Sequence, residues 1–114
     1  MHIDSYKFGF ILIDNIPYTK DLIICRHKIR QNWRRQIGHV LHMQDIESFI
    51  DEEEPEILIV GTGKFGRMSV LPETLDYLKN KGIECIAQST DLACEKFNEL
   101  VDAKKVVGAF HLTC

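Results

Sequence analysis

The chain has 114 residues, a size that suits one domain. Its formal net charge of −3 argues against general nucleic-acid binding, because such binding needs a basic surface. Hydrophobic residues make up 45% and charged residues 27% of the sequence, as in ordinary globular proteins. No apolar run approaches the roughly 20 residues of a membrane helix, and no targeting segment is visible at the N-terminus. We therefore expect residues 1–114 to form one cytoplasmic domain that does not insert into a membrane.

The four cysteines give no sign of a metal site. They stand at positions 25, 85, 94 and 114, with no Cys-x-x-Cys pair and no Cys/His spacing typical of zinc. Three of them sit among apolar residues, where a free cysteine usually behaves as a small buried hydrophobe. We expect reduced thiols in a cytoplasm-like compartment and no bound metal.

The first part of the chain is predicted to be mostly β. FGFILI (8–13) is typical of a strand, DNIP (14–17) supplies turn residues, and YTKDLIIC (18–25) follows as a second strand. These segments predict a β-hairpin or short meander that forms a side layer. Around Gly38, the weak alternation of IGHVLHM favours a further strand.

A helix and a buried strand follow. DIESFIDEEE (45–54) predicts a helix with Asp45 as its cap and Pro55 as its stop. EILIVGTG (56–63) has four consecutive apolar residues before its glycine, which is typical of a strand buried on both faces.

The rest of the chain alternates between helix and strand. Its pattern predicts a helix, a strand, a helix and a strand in PETLDYLKNKG (72–82), IECIAQ (83–88), TDLACEKFNELV (90–101) and VVGAFHL (106–112). The first helix places Leu75 and Leu78 on one face, and Thr90 is the expected cap of the second. Short crossovers of this kind imply parallel strands with helices packed on the sheet, so the C-terminal half should hold parallel βαβ units.

Gly61-Thr62-Gly63-Lys64-Phe65-Gly66 matches the GxGxxG pattern directly after a buried strand. In a dinucleotide-binding fold, such glycines let the backbone approach a pyrophosphate at a helix N-terminus. Here the helix begins only at Pro72, and the strand that should end in a ribose-binding acid ends in Gln88. We expect no nicotinamide cofactor, and no other cofactor is indicated.

The same loop supports two further interpretations. Ligand crevices in open α/β sheets form beyond the carboxyl ends of the strands, so a small anion would bind there through Gly61, Thr62, Gly63, Lys64 and Arg67. Alternatively, the loop is a tight turn that needs glycine for its backbone angles.

Positive charge is concentrated between Lys20 and Met43, a stretch with six Lys and Arg residues and only one acidic residue, Asp21. In residues 45–56, by contrast, every charged residue is acidic. This distribution fits either two solvated faces or a basic patch for an anionic partner.

Within the basic stretch, Trp33, Arg34, Arg35 and His39 form a candidate interaction cluster. An arginine pair beside an aromatic ring can grip a carboxylate or phosphate, and interface hot spots are enriched in Trp and Arg. The alternative is a tryptophan in the core with both arginines in solvent. We hypothesise that this segment borders the functional surface near the 61–67 loop.

No catalytic residue is predicted. His111 and Cys114 are close enough in sequence to suggest nucleophilic catalysis, but an odd separation within a strand would point them to opposite faces.

Several motifs together resemble one small family. They are ILIVGTG, PETLDYLKNKGIE and a T-x-x-A-x-x-x-F-N-x-L pattern carried by Thr90, Ala93, Phe97, Asn98 and Leu100, with the opening YKFGFILI and the ending HLTC. The family includes the adipogenesis-associated domain-containing protein of animals, mitochondrial complex I assembly factor three and many uncharacterised bacterial and archaeal proteins. The resemblance spans nearly the whole chain.

The resemblance implies a compact three-layer α/β domain with a mixed central sheet. No catalytic residues or cofactor are established for the family, so none are carried over to this chain. The mitochondrial branch acts by binding other proteins during complex I assembly, whereas this chain is more similar to the prokaryotic or cytosolic branch. The function expected is a non-enzymatic protein-interaction or assembly module. The alternative is a small-molecule or anion-binding protein that uses the Gly61–Arg67 loop.

Overall fold

The structure of the chain, a computed structural model, describes residues 1–114. In chain order its elements are β1 (Ile3–Lys7), β2 (Phe10–Ile13), β3 (Ile16–Tyr18), β4 (Leu22–Ile24), β5 (Ile29–Arg30), β6 (Val40–Leu41), a 3-10 helix (Met43–Asp45), α1 (Glu47–Glu53), β7 (Ile57–Thr62), β8 (Ser69–Val70), α2 (Pro72–Asn80), β9 (Glu84–Gln88), α3 (Thr90–Leu100) and β10 (Val106–His111). No helix is long and apolar enough to cross a membrane.

The central sheet has five strands in the order β5-β4-β10-β7-β9. Strands β7, β9 and β10 run parallel, with α2 and α3 as the crossovers, while β4 pairs antiparallel with both β10 and β5. The predicted mixed sheet with parallel βαβ units is therefore confirmed. Because the strands are parallel, the carboxyl ends of β7, β9 and β10 meet at one edge of the sheet.

Both faces of the central sheet are covered, which makes three layers. The sheet β1-β2-β3 and α3 pack on one face, and α1 and α2 pack on the other. Along β7 the side chains alternate between the two cores: Ile57 and Ile59 enter the first, and Leu58 and Val60 enter the second. Burying each such side chain contributes roughly 1.5–3 kcal/mol, which explains why this strand is apolar throughout.

The N-terminal side layer is a meander whose boundaries differ from the prediction. The turn between β2 and β3 consists of Asp14 and Asn15, with φ of 48° and 67°, as a two-residue hairpin turn requires. The segment 18–25 does not form one strand, because Tyr18 ends β3 while Leu22–Ile24 joins the central sheet as β4. Strands β1, β5 and β8 were not predicted.

The first helix is shorter than predicted, and Asp45 is not its cap. The α-helix begins at Glu47, and Asp45 instead closes the preceding 3-10 helix. Its buried carboxylate accepts hydrogen bonds from the amides of Gln36, at 3.1 Å, and His42, at 2.9 Å. Asp45 therefore ties the segment before β6 to the start of the helical layer.

Two expectations for the later helices were also wrong. Leu75 is 44% exposed, and Thr74 joins Leu78 on the buried face of α2. Thr90 is the first residue of α3 rather than its cap, and its hydroxyl is used elsewhere. It donates to the carbonyl of His111 at 2.6 Å and accepts from the amide of Gly63 at 2.8 Å. Thr90 thus joins three chain segments at the carboxyl edge of the sheet.

Candidate functional site

The carboxyl ends of β7 and β10 lie side by side, with Thr62 and His111 in register. The chain then crosses directly over Gly63, whose φ is +102°. A Cβ at Gly63 would lie 2.9 Å from His111 Cδ2 and 2.8 Å from the carbonyl oxygen of Thr113. Glycine is therefore required here both for its backbone angle and for the close approach of His111.

His111 belongs to a buried charged cluster, which we define as Asp21, Arg35 and His111. Asp21 Oδ2 lies 2.7 Å from His111 Nδ1 and 2.9 Å from Arg35 Nη2, and Asp21 Oδ1 accepts from the Leu112 amide at 2.8 Å. The side chains of Arg35 and His111 are only 5% and 8% exposed. Charged groups this deep in a protein are stable only when they are paired, as Asp21 and Arg35 are here.

The cluster holds Asp21 in its ionised form. Burial alone would raise the pKa of Asp21, but hydrogen bonds from His111, the Leu112 amide and Arg35 together lower it below its usual value. An ionised carboxylate can only accept, so His111 Nδ1 carries the hydrogen that points to it. His111 Nε2 is therefore a bare acceptor while the imidazole is neutral.

Two nitrogen atoms of the cluster are buried without a hydrogen-bond partner, Arg35 Nη1 and His111 Nε2. A buried polar group left unpaired costs about 1–3 kcal/mol, and more when it is charged. Native structures contain few such groups, and each calls for an explanation such as a bound ligand or a catalytic role. Arg30 Nε, His42 Nδ1 and Tyr77 Oη are also buried without a partner, but in this cluster the two unpaired atoms belong to side chains that share one carboxylate, Asp21.

The predicted interaction residues lie around this cluster, but not as expected. Trp33 is buried, and its indole donates to the carbonyl of Asp45 at 3.1 Å. The Arg35 guanidinium stacks on the Trp33 ring, with Cζ 4.6 Å from the ring centroid, and its Nε donates to the carbonyl of Gly38 at 2.9 Å. The alternative of a core tryptophan with both arginines in solvent therefore holds for Trp33 but not for Arg35, because the ring and Asp21 together keep its charge inside the protein.

Arg34 and His39 remain at the surface. Arg34 is exposed and forms no ion pair. It lines two open depressions, one of about 580 Å³ that also reaches Arg35, and one of about 350 Å³ that also reaches Asp21 and Thr113. His39 is exposed, and its ring meets the ring of His111 edge-on, with centroids 5.7 Å apart.

The backbone of the glycine loop is largely occupied by internal hydrogen bonds. Four amides of the loop and of the residue after it donate within the protein. The amide of Gly63 donates to Thr90 Oγ1, and that of Lys64 donates to the carbonyl of Thr113. The amides of Gly66 and Met68 donate to the carbonyls of Gly63 and Thr62. An anion at this loop would have to compete with those bonds. The backbone of the loop thus resembles a tight turn more than an open cradle.

The side chains of the loop are also engaged. Lys64 Nζ lies 3.1 Å from Asp91 Oδ2 and 5.6 Å from the centroid of the Tyr6 ring. Arg67 is exposed beside the Phe65 ring, with Cζ 5.7 Å from its centroid. Of the two cations of this loop, only Arg67 forms no ion pair.

Sequence reasoning did not select Asp21 and did not assign His111 a role. Both residues carried a signal, because each is a charged or titratable group next to an apolar strand segment, LIIC and VVGAF respectively. A polar side chain in such a position needs a partner, but 90 residues separate the two in the sequence. Only the fold shows that they are partners of each other.

The three-layer fold is shared with several solved structures. A conserved hypothetical protein from Pyrococcus horikoshii is 27% identical, with a TM-score of 0.85 and coverage of 100% of both chains. A Mth938-like domain from Bordetella pertussis is 20% identical, with a TM-score of 0.77 and coverage of 97% of this chain and 85% of that one. A Bartonella henselae protein described as an outer membrane protein is 23% identical, with a TM-score of 0.81 and coverage of 98% and 94%. The last two show the fold alone.

The sequence pattern of a family described as protein of unknown function (DUF498/DUF598) matches residues 3–111, and the chain belongs to that family. This match agrees with the uncharacterised part of the predicted resemblance, and the same fold occurs in the solved structures of MT938 and of the Mth938-like domain. The relation to the adipogenesis-associated protein and to complex I assembly factor three stays a prediction.

Proposed function

We propose that this chain is a non-enzymatic interaction module that binds an acidic segment of a partner protein through the Arg34 surface. We define that surface as Arg34 with the two depressions that it lines. The observation that carries the proposal is that Arg34 is exposed and without an ion pair between two concave regions. Arginine in such a position is over-represented among the residues that dominate binding energy at protein interfaces.

The neighbours of Arg34 support this proposal because they restrict the backbone on which it is mounted. Trp33 is anchored in the core by its hydrogen bond to Asp45, and Arg35 is anchored by Asp21. A surface that is already ordered loses less conformational entropy on binding. The amide side chains of Gln31 and Gln44, which line the larger depression, add donors and acceptors for a partner backbone.

Three further expectations belong to the same proposal. We propose that residues 1–114 act as one domain and that the protein works in the cytoplasm, which the four free cysteines support. An assembly role like that of the mitochondrial branch would be one form of the proposed interaction.

Anion binding by the Gly61–Arg67 loop is the alternative function. Its position at the carboxyl edge of the sheet and the exposed Arg67 favour it. The four amides already donating within the protein give it less support than the Arg34 surface receives.

The test is a charge reversal with a matched control. Affinity capture from the source cells would use wild type, Arg34→Glu and Lys104→Glu. Lys104 is an exposed cation that precedes β10, at the opposite edge of the sheet, and its reversal changes the net charge equally. We expect the partner with wild type and Lys104→Glu but not with Arg34→Glu. A photo-crosslinking residue in place of Gln31 should then react with that same partner, and equal capture by all three proteins would contradict the proposal.

A further inference from the structure

We infer that Arg35 and His111 form a binding site for the carboxylate group of a small ligand, with Asp21 as the fixed anion that holds both side chains in place. This inference goes beyond the proposed function, because it concerns the interior of the buried charged cluster and not the exposed Arg34. Its failure would leave the interaction surface untouched.

The unused hydrogen-bonding atoms supply the first part of the case. Arg35 uses Nε and Nη2 within the protein, but Nη1 has two N–H groups and no partner. His111 uses Nδ1, but Nε2 has no partner. Arg35 Nη2 and His111 Nδ1 lie only 3.1 Å apart, so the two unused atoms belong to adjoining groups. A structural ion pair alone would need neither of them.

The charge balance selects the class of ligand. The charges of ionised Asp21 and of Arg35 cancel, and His111 Nε2 can donate to a bound anion only if one proton is taken up together with that anion. A single negative charge is therefore the most that it can neutralise. A carboxylate meets this limit and matches the planar guanidinium, whereas a phosphate dianion would leave excess charge beside Asp21.

The surroundings of the cluster provide a route to it. The depression of about 350 Å³ reaches the cluster at Asp21 and is lined there by Trp33 and Thr113. His111 is covered on another side by the exposed His39 ring, which belongs to neither hydrophobic core cluster. A ligand that approached His111 from this side would displace the His39 ring, which is not part of either core.

The test is an NMR titration of wild-type protein with formate or acetate, the smallest carboxylates, followed at the ring nitrogens of His111 and the guanidinium of Arg35. Inorganic phosphate and chloride at matched ionic strength are the comparison anions. We expect saturable shifts at both side chains with the carboxylates, and none with phosphate or chloride. A saturable response to phosphate alone would overturn the choice of carboxylate, and no saturable response to either would overturn the site.

Two variants sharpen the result. Arg35→Lys keeps the charge but loses the guanidinium fork, and it should weaken the response at His111 by about tenfold or more. Arg26→Lys is the matched control, because Arg26 is an exposed arginine that follows β4, forms no ion pair and lines neither depression, and it should leave the response unchanged. An undiminished response in Arg35→Lys would contradict the assignment, and if that variant does not fold, the wild-type titration decides.

Discussion

The glycine loop of residues 61–67 and the segment of residues 31–39 both reach His111, yet they use their hydrogen-bonding groups in opposite ways. The loop carries a recognisable glycine motif, and its amides at Gly63 and Lys64 already donate hydrogen bonds to Thr90 and Thr113. The segment carries no motif, yet its Arg35 has an Nη1 atom without a hydrogen-bond partner, and its Arg34 forms no ion pair. The difference shows that a glycine pattern reports backbone geometry, whereas binding capacity resides in side chains that the fold leaves unsatisfied.

The largest expected effect comes from removing the negative charge of Asp21, which pairs with Arg35 in the segment of residues 31–39. Asp21→Asn leaves the buried Arg35 guanidinium uncompensated, and breaking a buried pair in this way costs about 3–5 kcal/mol. Urea denaturation should show that loss in the free energy of unfolding. The exposed pair of Lys96 with Glu99 is the control, and Glu99→Gln should leave the denaturation midpoint almost unchanged. Equal midpoints for Asp21→Asn and wild type would remove the distinction between a buried and a surface pair.

The next effect concerns the loop itself. Gly63→Ala combines an unfavourable φ with contacts at 2.8 Å and 2.9 Å to Thr113 and His111, so we expect a loss on the order of 3 kcal/mol. Gly82 has a similar φ of +74° but open space around it, and Gly82→Ala should cost only about 1 kcal/mol. Chemical denaturation of both variants separates backbone strain from crowding. Equal losses in the free energy of unfolding would mean that the close approach of His111 and Thr113 to Gly63 adds nothing to the cost of the substitution.

Gly61 was predicted to need glycine for its backbone angle, but its φ is not positive. A Cβ there would instead lie 2.8 Å from Phe110 and 2.9 Å from Thr90 Oγ1. Gly61→Val should therefore lose about 1–3 kcal/mol through crowding alone, as chemical denaturation can measure.

A smaller effect is the pH dependence of stability. The pKa of Asp21 is lowered in the folded protein, so its contribution is fully present above the unfolded pKa of about 3.9 and is lost as the pH falls through the lower folded value. Wild type should therefore lose stability more steeply than Asp21→Asn between about pH 5 and pH 2. Thermal melts of the two proteins across this range would reveal the difference, and parallel profiles would show that Asp21 is not held ionised by the cluster.

The smallest effect on stability is expected at Arg34. Because its side chain is exposed and unpaired, Arg34→Glu should change the free energy of unfolding by about 0.5 kcal/mol or less. The same denaturation experiment should find a much larger loss for Arg35→Glu, which buries a second negative charge beside Asp21. Similar losses for the two neighbours would contradict the division between an exposed and a buried arginine.

The sequence was informative where burial alone determines structure. The strands β7 and β10 are buried along their whole length, so continuous apolar runs revealed both of them. Strand β1 reads IDSYK and is mostly exposed, so its pattern carries little signal, and it exists because β2 pairs with it. The candidate site was only half predictable for a related reason. Trp33 and Arg35 stand out by residue type, but the contacts that bury Arg35 come from residues distant in sequence, which no local pattern encodes.

The position of β10 has a consequence for how the chain folds. This strand comes last along the chain but lies between β4 and β7, so the hydrogen-bonded ladder that connects those two strands is incomplete until β10 inserts. During synthesis, the central sheet can close only after residues 106–111 have left the ribosome. Folding that depends on such distant pairings is slow, and earlier intermediates expose unpaired strand edges. The contact between Asp21 and His111 forms in that last step, so pulsed hydrogen exchange should show the Leu112 amide among the last to become protected.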